Sequence, residues 1–174
     1  AQAPTGIGKT LGTLFPMLKA MAEDRLDKLF FLNAKTTGRA LALDALDQLK
    51  GSGPRLPVRV IELVARENAC VNPGAACHGD ACSRAKGFYD RLPAARQQAV
   101  HLAEQVVMRG AEVAAIAEAH AICPYYLSQE LVRWADVVVA DVNHWFDSSA
   151  LLYSLAQSED WRIGLLVDEA HNLV

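Results

Sequence analysis

Ala3–Thr10 reads A-P-T-G-I-G-K-T, a glycine-rich turn that runs straight into an apolar-periodic segment. It constrains the fold more than any other stretch, because such a turn wraps an anion only where a buried strand hands over to a helix. Gly6 and Gly8 free the backbone N–H groups to wrap a polyphosphate, Lys9 would reach its outer phosphates, and the Thr10 hydroxyl would bind Mg²⁺. Ala3 stands where the general pattern has its first glycine. The plain alternative is a glycine-rich turn before a helix. A second motif answers the first at the far end of the chain. Leu165–Val167 is an apolar strand, and Asp168-Glu169-Ala170-His171 follows at its carboxyl end, where open α/β sheets place ligands. Asp168 can hold Mg²⁺, and Glu169 can orient and deprotonate a water. A charged strand end that caps a helix is the alternative.

Between the motifs the periodicity alternates. A helix is expected over Thr10–Glu23, kinked at Pro16, a buried strand over Lys28–Asn33, and a helix over Thr37–Lys50 that Gly51-Ser52-Gly53-Pro54 ends. Val58–Val64 reads as a strand, and the alternation implies a parallel sheet covered by helices. Arg66–Leu92 loses the pattern and carries three of the four cysteines. Helices then follow at Pro93–Met108, Ala111–His120 and Tyr125–Trp134, and strands return at Val137–Ala140 and Ile163–Val167. The expected division is therefore 1–65 and 131–174 for the α/β layer, with 66–130 as an insertion.

Composition narrows the function classes. A formal charge of −3 gives no global basic field, so contact with nucleic acid must come from local features. No apolar run is long enough to span a membrane, and no secretory signal opens the chain. The cysteines read as intracellular thiols or metal ligands rather than disulfides. The abrupt ends predict a piece of a longer protein.

Cys70, Cys77, Cys82 and Cys123 follow the spacing C-x6-C-x4-C-x40-C. Four thiolates suit an iron–sulfur cluster and also structural zinc, whose ligands come as closer pairs; spacing alone leaves both open. His78 beside Cys77 reads as a surface or supporting residue. Arg84, Lys86 and Arg91, with Phe88 and Tyr89, bring charge and rings to the third cysteine. That mixture suits single-stranded nucleic acid, and it equally suits a solvated loop with Phe88 packed inward.

The phosphate loop, the D-E-A-H box, the cysteines, I-C-P-Y-Y-L-S-Q-E at Ile122–Glu130 and A-D-V-V-V-A-D-V-N-H at Ala135–His144 together resemble the XPD/DinG-like iron–sulfur branch of superfamily 2 helicases. The resemblance covers essentially the whole chain. It implies a RecA-like P-loop parallel sheet with an inserted, mainly helical iron–sulfur subdomain. It implies ATP-driven 5′→3′ movement on single-stranded DNA and unwinding at single/double-strand junctions. Thr5, Gly6, Ile7, Gly8, Lys9 and Thr10 would hold ATP; Thr10 and Asp168 would hold Mg²⁺; Glu169 would be the hydrolytic base, and His171 would couple hydrolysis to movement. Cys70, Cys77, Cys82 and Cys123 would hold a [4Fe–4S] cluster. Tyr125 and Tyr126 would pack against the cluster lobe. Asn33–Arg39 (N-A-K-T-T-G-R) matches the position of motif Ia, so Thr36, Thr37 and Arg39 are candidates for DNA phosphates, although Thr37 is as well explained as a helix cap. A second motor domain of the parent chain would complete the ATP site, so residues 1–174 alone are expected to turn over little ATP. A zinc-stapled P-loop NTPase that binds nucleic acid without unwinding is the competing reading.

Overall fold

The computed structural model describes residues 8–23, 25–51, 56–147 and 150–173; Thr5, Gly6, Ile7 and the expected break at Ser52-Gly53-Pro54 lie outside them. In chain order the elements are α1 (Lys9–Ala22), β1 (Lys28–Leu32), α2 (Thr36–Gly51), β2 (Val60–Glu62), α3 (Arg66–Ala69), α4 (Phe88–Ala103), α5 (Gly110–Ala119), α6 (Pro124–Leu131), β3 (Val137–Ala140), α7 (Asn143–Phe146), α8 (Leu151–Ser158), β4 (Ile163–Val167) and a short 3-10 turn at Ala170–Leu173. They form two bodies, Ala1–Leu56 with Asp136–Val174, and Pro57–Ala135.

In the first body β1 lies between β3 and β4 and runs parallel to both, pairing Leu32 with Ala140 on one side and Val167 on the other. Every residue of β1 and of β3 is buried. Strands covered on both faces tolerate an unbroken apolar run, and K-L-F-F-L and V-V-V-A are such runs. Helix α1 packs on β1 and β4, and α2 on β1 and β3. Leu14 and Leu18 bury the sheet-facing stripe of α1, while Ala42, Leu43, Ala45 and Leu46 do so for α2. The helix passes Pro16 as one element. Phe30 meets Trp145 edge-on at 5.7 Å, and Trp145 meets Tyr153 in the same way at 5.5 Å. These rings seat the short helices α7 and α8, which the sequence reading did not anticipate.

In the second body α4, α5 and α6 pack on one another, and α3 and β2 lie against α6. Two boundaries differ from expectation. The helix expected from Pro93 begins at Phe88, because Phe88, Leu92, Ala95, Ala99 and Ala103 form one buried stripe at helical spacing. Pro93 is carried inside its first two turns. The same helix ends at Ala103 rather than Met108, since Met108 leaves it to bridge Ile61 in parallel. The Met108 amide donates to the Val60 carbonyl at 2.9 Å, and the Met108 carbonyl accepts from Glu62 at 2.8 Å. The expected strand Val58–Val64 contracts to Val60–Glu62. Two carboxylates satisfy the orphan donors at the start of α5: Glu112 Oε2 accepts from the Arg109 amide, and Glu62 Oε2 from the Gly110 amide, each at 3.0 Å.

The ladder of the first body is clamped at its entry. Arg162 Nη2 and Nε donate to the two oxygens of Asp27 at 2.7 and 3.0 Å, while the Asp27 amide donates to the Arg162 carbonyl at 2.8 Å. The side-chain and then the backbone hydrogen bonds from Arg162 lower the Asp27 carboxyl from 3.8 to about 2. A carboxyl lowered on folding stabilises the fold above its unfolded value and loses that contribution as pH falls through the folded one. Asp27→Asn is expected to lower the urea midpoint at neutral pH, with the gap to wild type closing as pH falls from 3.8 toward about 2. A gap that stays constant over that window is the contrary result.

Candidate functional site

The carboxyl ends of three parallel strands converge in the first body, and each is followed by a polar residue. Asn33 follows β1, Asp141 follows β3 and Asp168 follows β4. The ladder itself extends to them: the Asn33 amide donates to the Ala140 carbonyl at 3.1 Å, and the Asp168 amide to the Leu32 carbonyl at 2.9 Å. Asn33, 1 % exposed, donates through Nδ2 to Asp168 Oδ2 at 2.9 Å. The other Asp168 oxygen accepts from the Glu169 amide at 3.1 Å.

Glu169 has φ +56°, in the left-handed region that costs a residue with a Cβ roughly 1 kcal/mol or more. That turn of the backbone follows directly on Asp168. Lys35 Nζ lies 3.8 Å and His171 Nε2 3.4 Å from Glu169 Oε2. Lys35 and His171 are both largely exposed, so these contacts orient more than they stabilise.

Gly8 opens α1 with φ +78°, a conformation that glycine adopts without penalty. Lys9 and Thr10 form the first turn of that helix and are half-buried. Since α1 lies on β1 and β4, the body that carries Lys9 and Thr10 also carries Asp168 and Glu169.

Of the candidate phosphate contacts in this body, Thr36 and Thr37 are exposed at the start of α2. Arg39 is engaged elsewhere. Its Nη1 donates to Asp141 Oδ2 and to the Asn33 carbonyl, each at 2.9 Å, and its Nη2 to Thr36 Oγ1 at 3.2 Å. Arg39 therefore ties β1 to β3 from inside, because a planar guanidinium can serve several acceptors at once. Burial pushes the neighbouring His144 imidazole below its ordinary value, Asp141 opposing and Arg39 adding. Asn33 and Asp141 carried only a weak signal in the sequence, a polar residue directly after an apolar strand.

The four cysteines sit in the second body as free thiols. Cys70 ends α3, Cys123 caps α6 with its carbonyl accepting from Leu127 at 3.0 Å, and Cys77 is exposed in the turns between. Asn72 Nδ2 donates to Cys82 Sγ at 3.4 Å and lowers that thiol. Burial pushes the Cys123 thiol up, and charge on Cys70 and Cys82 adds to the shift. Cys77 acts in the same way on Tyr126. Among the described residues, however, no three Cys, His, Asp or Glu side chains close into a metal-binding group. The ligand shell expected from Cys70, Cys77, Cys82 and Cys123 is not closed among the described residues.

Around the cysteines, Phe88 is buried, meeting Tyr126 at 6.0 Å and Tyr89 at 5.4 Å, while Tyr89 is 82 % exposed. Arg84 Nη1 reaches the Glu118 carbonyl at 3.5 Å, and Arg91 Nη2 donates to the Lys86 carbonyl. Lys86 is exposed.

The first body is thus an α/β layer with a parallel sheet, a glycine-opened helix start and an acidic pair at its carboxyl edge. The family model DEAD_2 matches residues 40–174, and the chain belongs to that family, the domain of XPD-like helicases. It is 29% identical over 140 residues to the Regulator of telomere elongation helicase 1 homolog of Anopheles gambiae, covering 74% of this chain and 14% of that protein. It is 24% identical over 127 residues to the homolog of the same name from Culex quinquefasciatus, covering 67% and 13%. A solved XPD helicase structure superposes with a TM-score of 0.58 at 18% identity over 99% of this chain and 29% of that one. The chain thus spans about a seventh of the length of these curated relatives. Among the described residues no helix is long and apolar enough to cross a membrane.

Arg39→Gln is expected to lower the free energy of unfolding by about 1–3 kcal/mol, because it leaves the half-buried Asp141 without its charged donor. Chemical denaturation measures this, and an unchanged midpoint would show that the Arg39 bridge is not structural.

Proposed function

We propose that this chain is part of the first motor domain of an ATP-driven 5′→3′ DNA helicase, and that residues 66–130 form an iron–sulfur lobe. The observation that carries the reading is the fixed Asp168-Glu169 pair at the carboxyl edge of a parallel sheet, in one body with the Gly8-Lys9-Thr10 helix start.

The donor set suits Mg²⁺. Asp168 offers hard carboxylate oxygens that are oriented by neutral N–H groups, and Thr10 offers a hydroxyl. Bound Mg²⁺ supplies charge neutralisation at the outer phosphates. Lys9 adds its ammonium there, and Glu169 accepts the proton of the attacking water. His171, beside Glu169, links that step to movement. A second motor domain of the parent chain adds cationic charge on the far side of the phosphate.

The second body suits a thiolate-held cluster by its chemistry, since it carries four free cysteines. Cys70, Cys77, Cys82 and Cys123 would hold a [4Fe–4S] cluster, which would stiffen the turns of residues 70–87. Thr36, Thr37, Lys86 and exposed Tyr89 are the surfaces offered to single-stranded DNA and its junctions.

In the full-length parent, Lys9→Ala is expected to abolish turnover, and Glu169→Gln to keep ATP binding while losing about 10²–10⁴-fold in hydrolysis. Wild-type turnover in Glu169→Gln would remove it as the base. Cys82→Ser is expected to lose iron and unwinding while retaining ATP binding, measured on one preparation. A colourless wild-type protein with one bound zinc would support a zinc-stapled binding module instead, and an iron-free mutant that unwinds at the parent rate would uncouple the lobe from strand separation.

A further inference from the structure

The polar groups of Asn33 are committed one by one. Its amide N–H meets Ala140, its carbonyl accepts from Arg39, its Oδ1 accepts from the Lys35 amide at 2.7 Å, and its Nδ2 donates to Asp168 at 2.9 Å. The contact with the Lys35 N–H requires an acceptor, so it fixes which end of the side-chain amide is oxygen. The NH₂ group must then face the carboxylate.

A second feature makes room for this arrangement. A Cβ at Gly38 would lie 2.0 Å from Asn33 Nδ2 and 2.5 Å from its Cγ. Gly38 stands in the first turn of α2, and glycine inside a helix costs roughly 1 kcal/mol against alanine. The space above it is filled by the Asn33 amide. Any side chain there would push the amide off Asp168.

We propose that Asn33 and Gly38 together form the positioning device for Asp168. Asn33 holds one carboxylate oxygen in place, and Gly38 keeps its seat open. A neutral amide suits this task better than a cation. A lysine or arginine at the same spot would neutralise Asp168 and compete with Mg²⁺, whereas an amide N–H orients the oxygen and leaves the charge and remaining lone pairs available. Asn33 is a positioning residue acting through Asp168, and the inference rests on the reading of Asp168 as the Mg²⁺-holding carboxylate.

The test uses the full-length parent and reads binding of a non-hydrolysable fluorescent ATP analogue, first in EDTA and then across a Mg²⁺ titration. Asn33→Ser keeps an oxygen for the Lys35 amide, since serine supports the same short turn, and is too short to reach Asp168. Asn33→Ser and Gly38→Ala are each expected to raise the Mg²⁺ concentration for half-maximal effect about tenfold, as loss of a supporting hydrogen bond commonly does. Binding in EDTA should stay within twofold of wild type. The double variant should be no worse than Asn33→Ser alone, because both changes remove one contact. An unshifted Mg²⁺ titration in Asn33→Ser, or shifts that multiply in the double variant, would overturn the pairing. Asp168→Ala separates the two levels of the argument. If it loses the Mg²⁺ response while Asn33→Ser keeps it, only the positioning role falls. If Asp168→Ala itself keeps the response, the reading beneath it falls too.

Discussion

The parallel ladder on both sides of β1 is the constraint on which the first body depends. It aligns Leu32 with Ala140 and Val167, so three strands end at one level. The hydrogen bonds do not stop at the last strand residue. Asn33 still pairs with Ala140, and Asp168 still pairs with Leu32. Asn33 and Asp168 are thus attached to the sheet by its own backbone bonds, with none of the slack of a free loop. A one-residue slip would turn Asp168 to the opposite face of the sheet and break its contact with Asn33. The Asp27–Arg162 clamp guards that register from the other end of β1 and β4.

A sheet that ends this sharply must turn its chain at once, and the two turns are solved differently. After β1 the Asn33 side chain folds back on the Lys35 amide and leads into α2. After β4 the backbone turns through Glu169 at φ +56°. Glycine or asparagine would make that turn with less strain, so glutamate there exchanges local stability for a carboxylate beside Asp168. Such strain persists where the surrounding contacts over-determine the backbone. Here those contacts are the Asp168 carboxylate, which accepts the Glu169 amide, and the Asn33 amide behind it.

Buried strands were the most legible part of the sequence. Val137–Ala140 and Ile163–Val167 match the expected spans, and β1 stops one residue short of its own. Continuous β-branched or aromatic runs admit few other solutions. Boundaries set by tertiary contact were not legible. The start of α4 depended on seeing that Phe88 and Leu92 continue the Ala95–Ala103 stripe through Pro93, and proline naturally reads as a beginning. Met108 leaves its helix for a bridge to Ile61, a partner far away in sequence. In the candidate site, motif spacing named Lys9, Thr10, Asp168 and Glu169, and the structure carries all four in one body. Asn33 was legible only as a place in the chain, since one asparagine after a strand reads as a turn until its partner is seen. Arg39 reads as a phosphate-contact candidate by its motif position, and its bridge to Asp141, 102 residues away, was not legible in the sequence.

The cysteine lobe follows a different logic from the sheet. Its helices have an apolar core of their own, with Leu92, Ala95, Ala99, Val113, Ile116, Ala117, Leu127 and Leu131 buried, and Arg96 joins α4 to Glu130 of α6 at 3.0 Å while stacking on Trp134. The turns from Val71 to Gly87 have no such core: among the residues of that stretch none is fully buried. Backbone turns such as Cys82 onto His78 and Lys86 onto Cys82 give them shape, but short local bonds resist bending poorly when they face water. A segment with so little buried surface needs a staple to be rigid. Three of the four cysteines lie in or at the edge of this stretch, while Cys123 is anchored at the start of α6 beside buried Pro124 and Ile122. One thiol therefore sits at the start of a packed helix, while the other three lie in or beside turns with little buried surface, and the helical part of the lobe stands on hydrophobic packing.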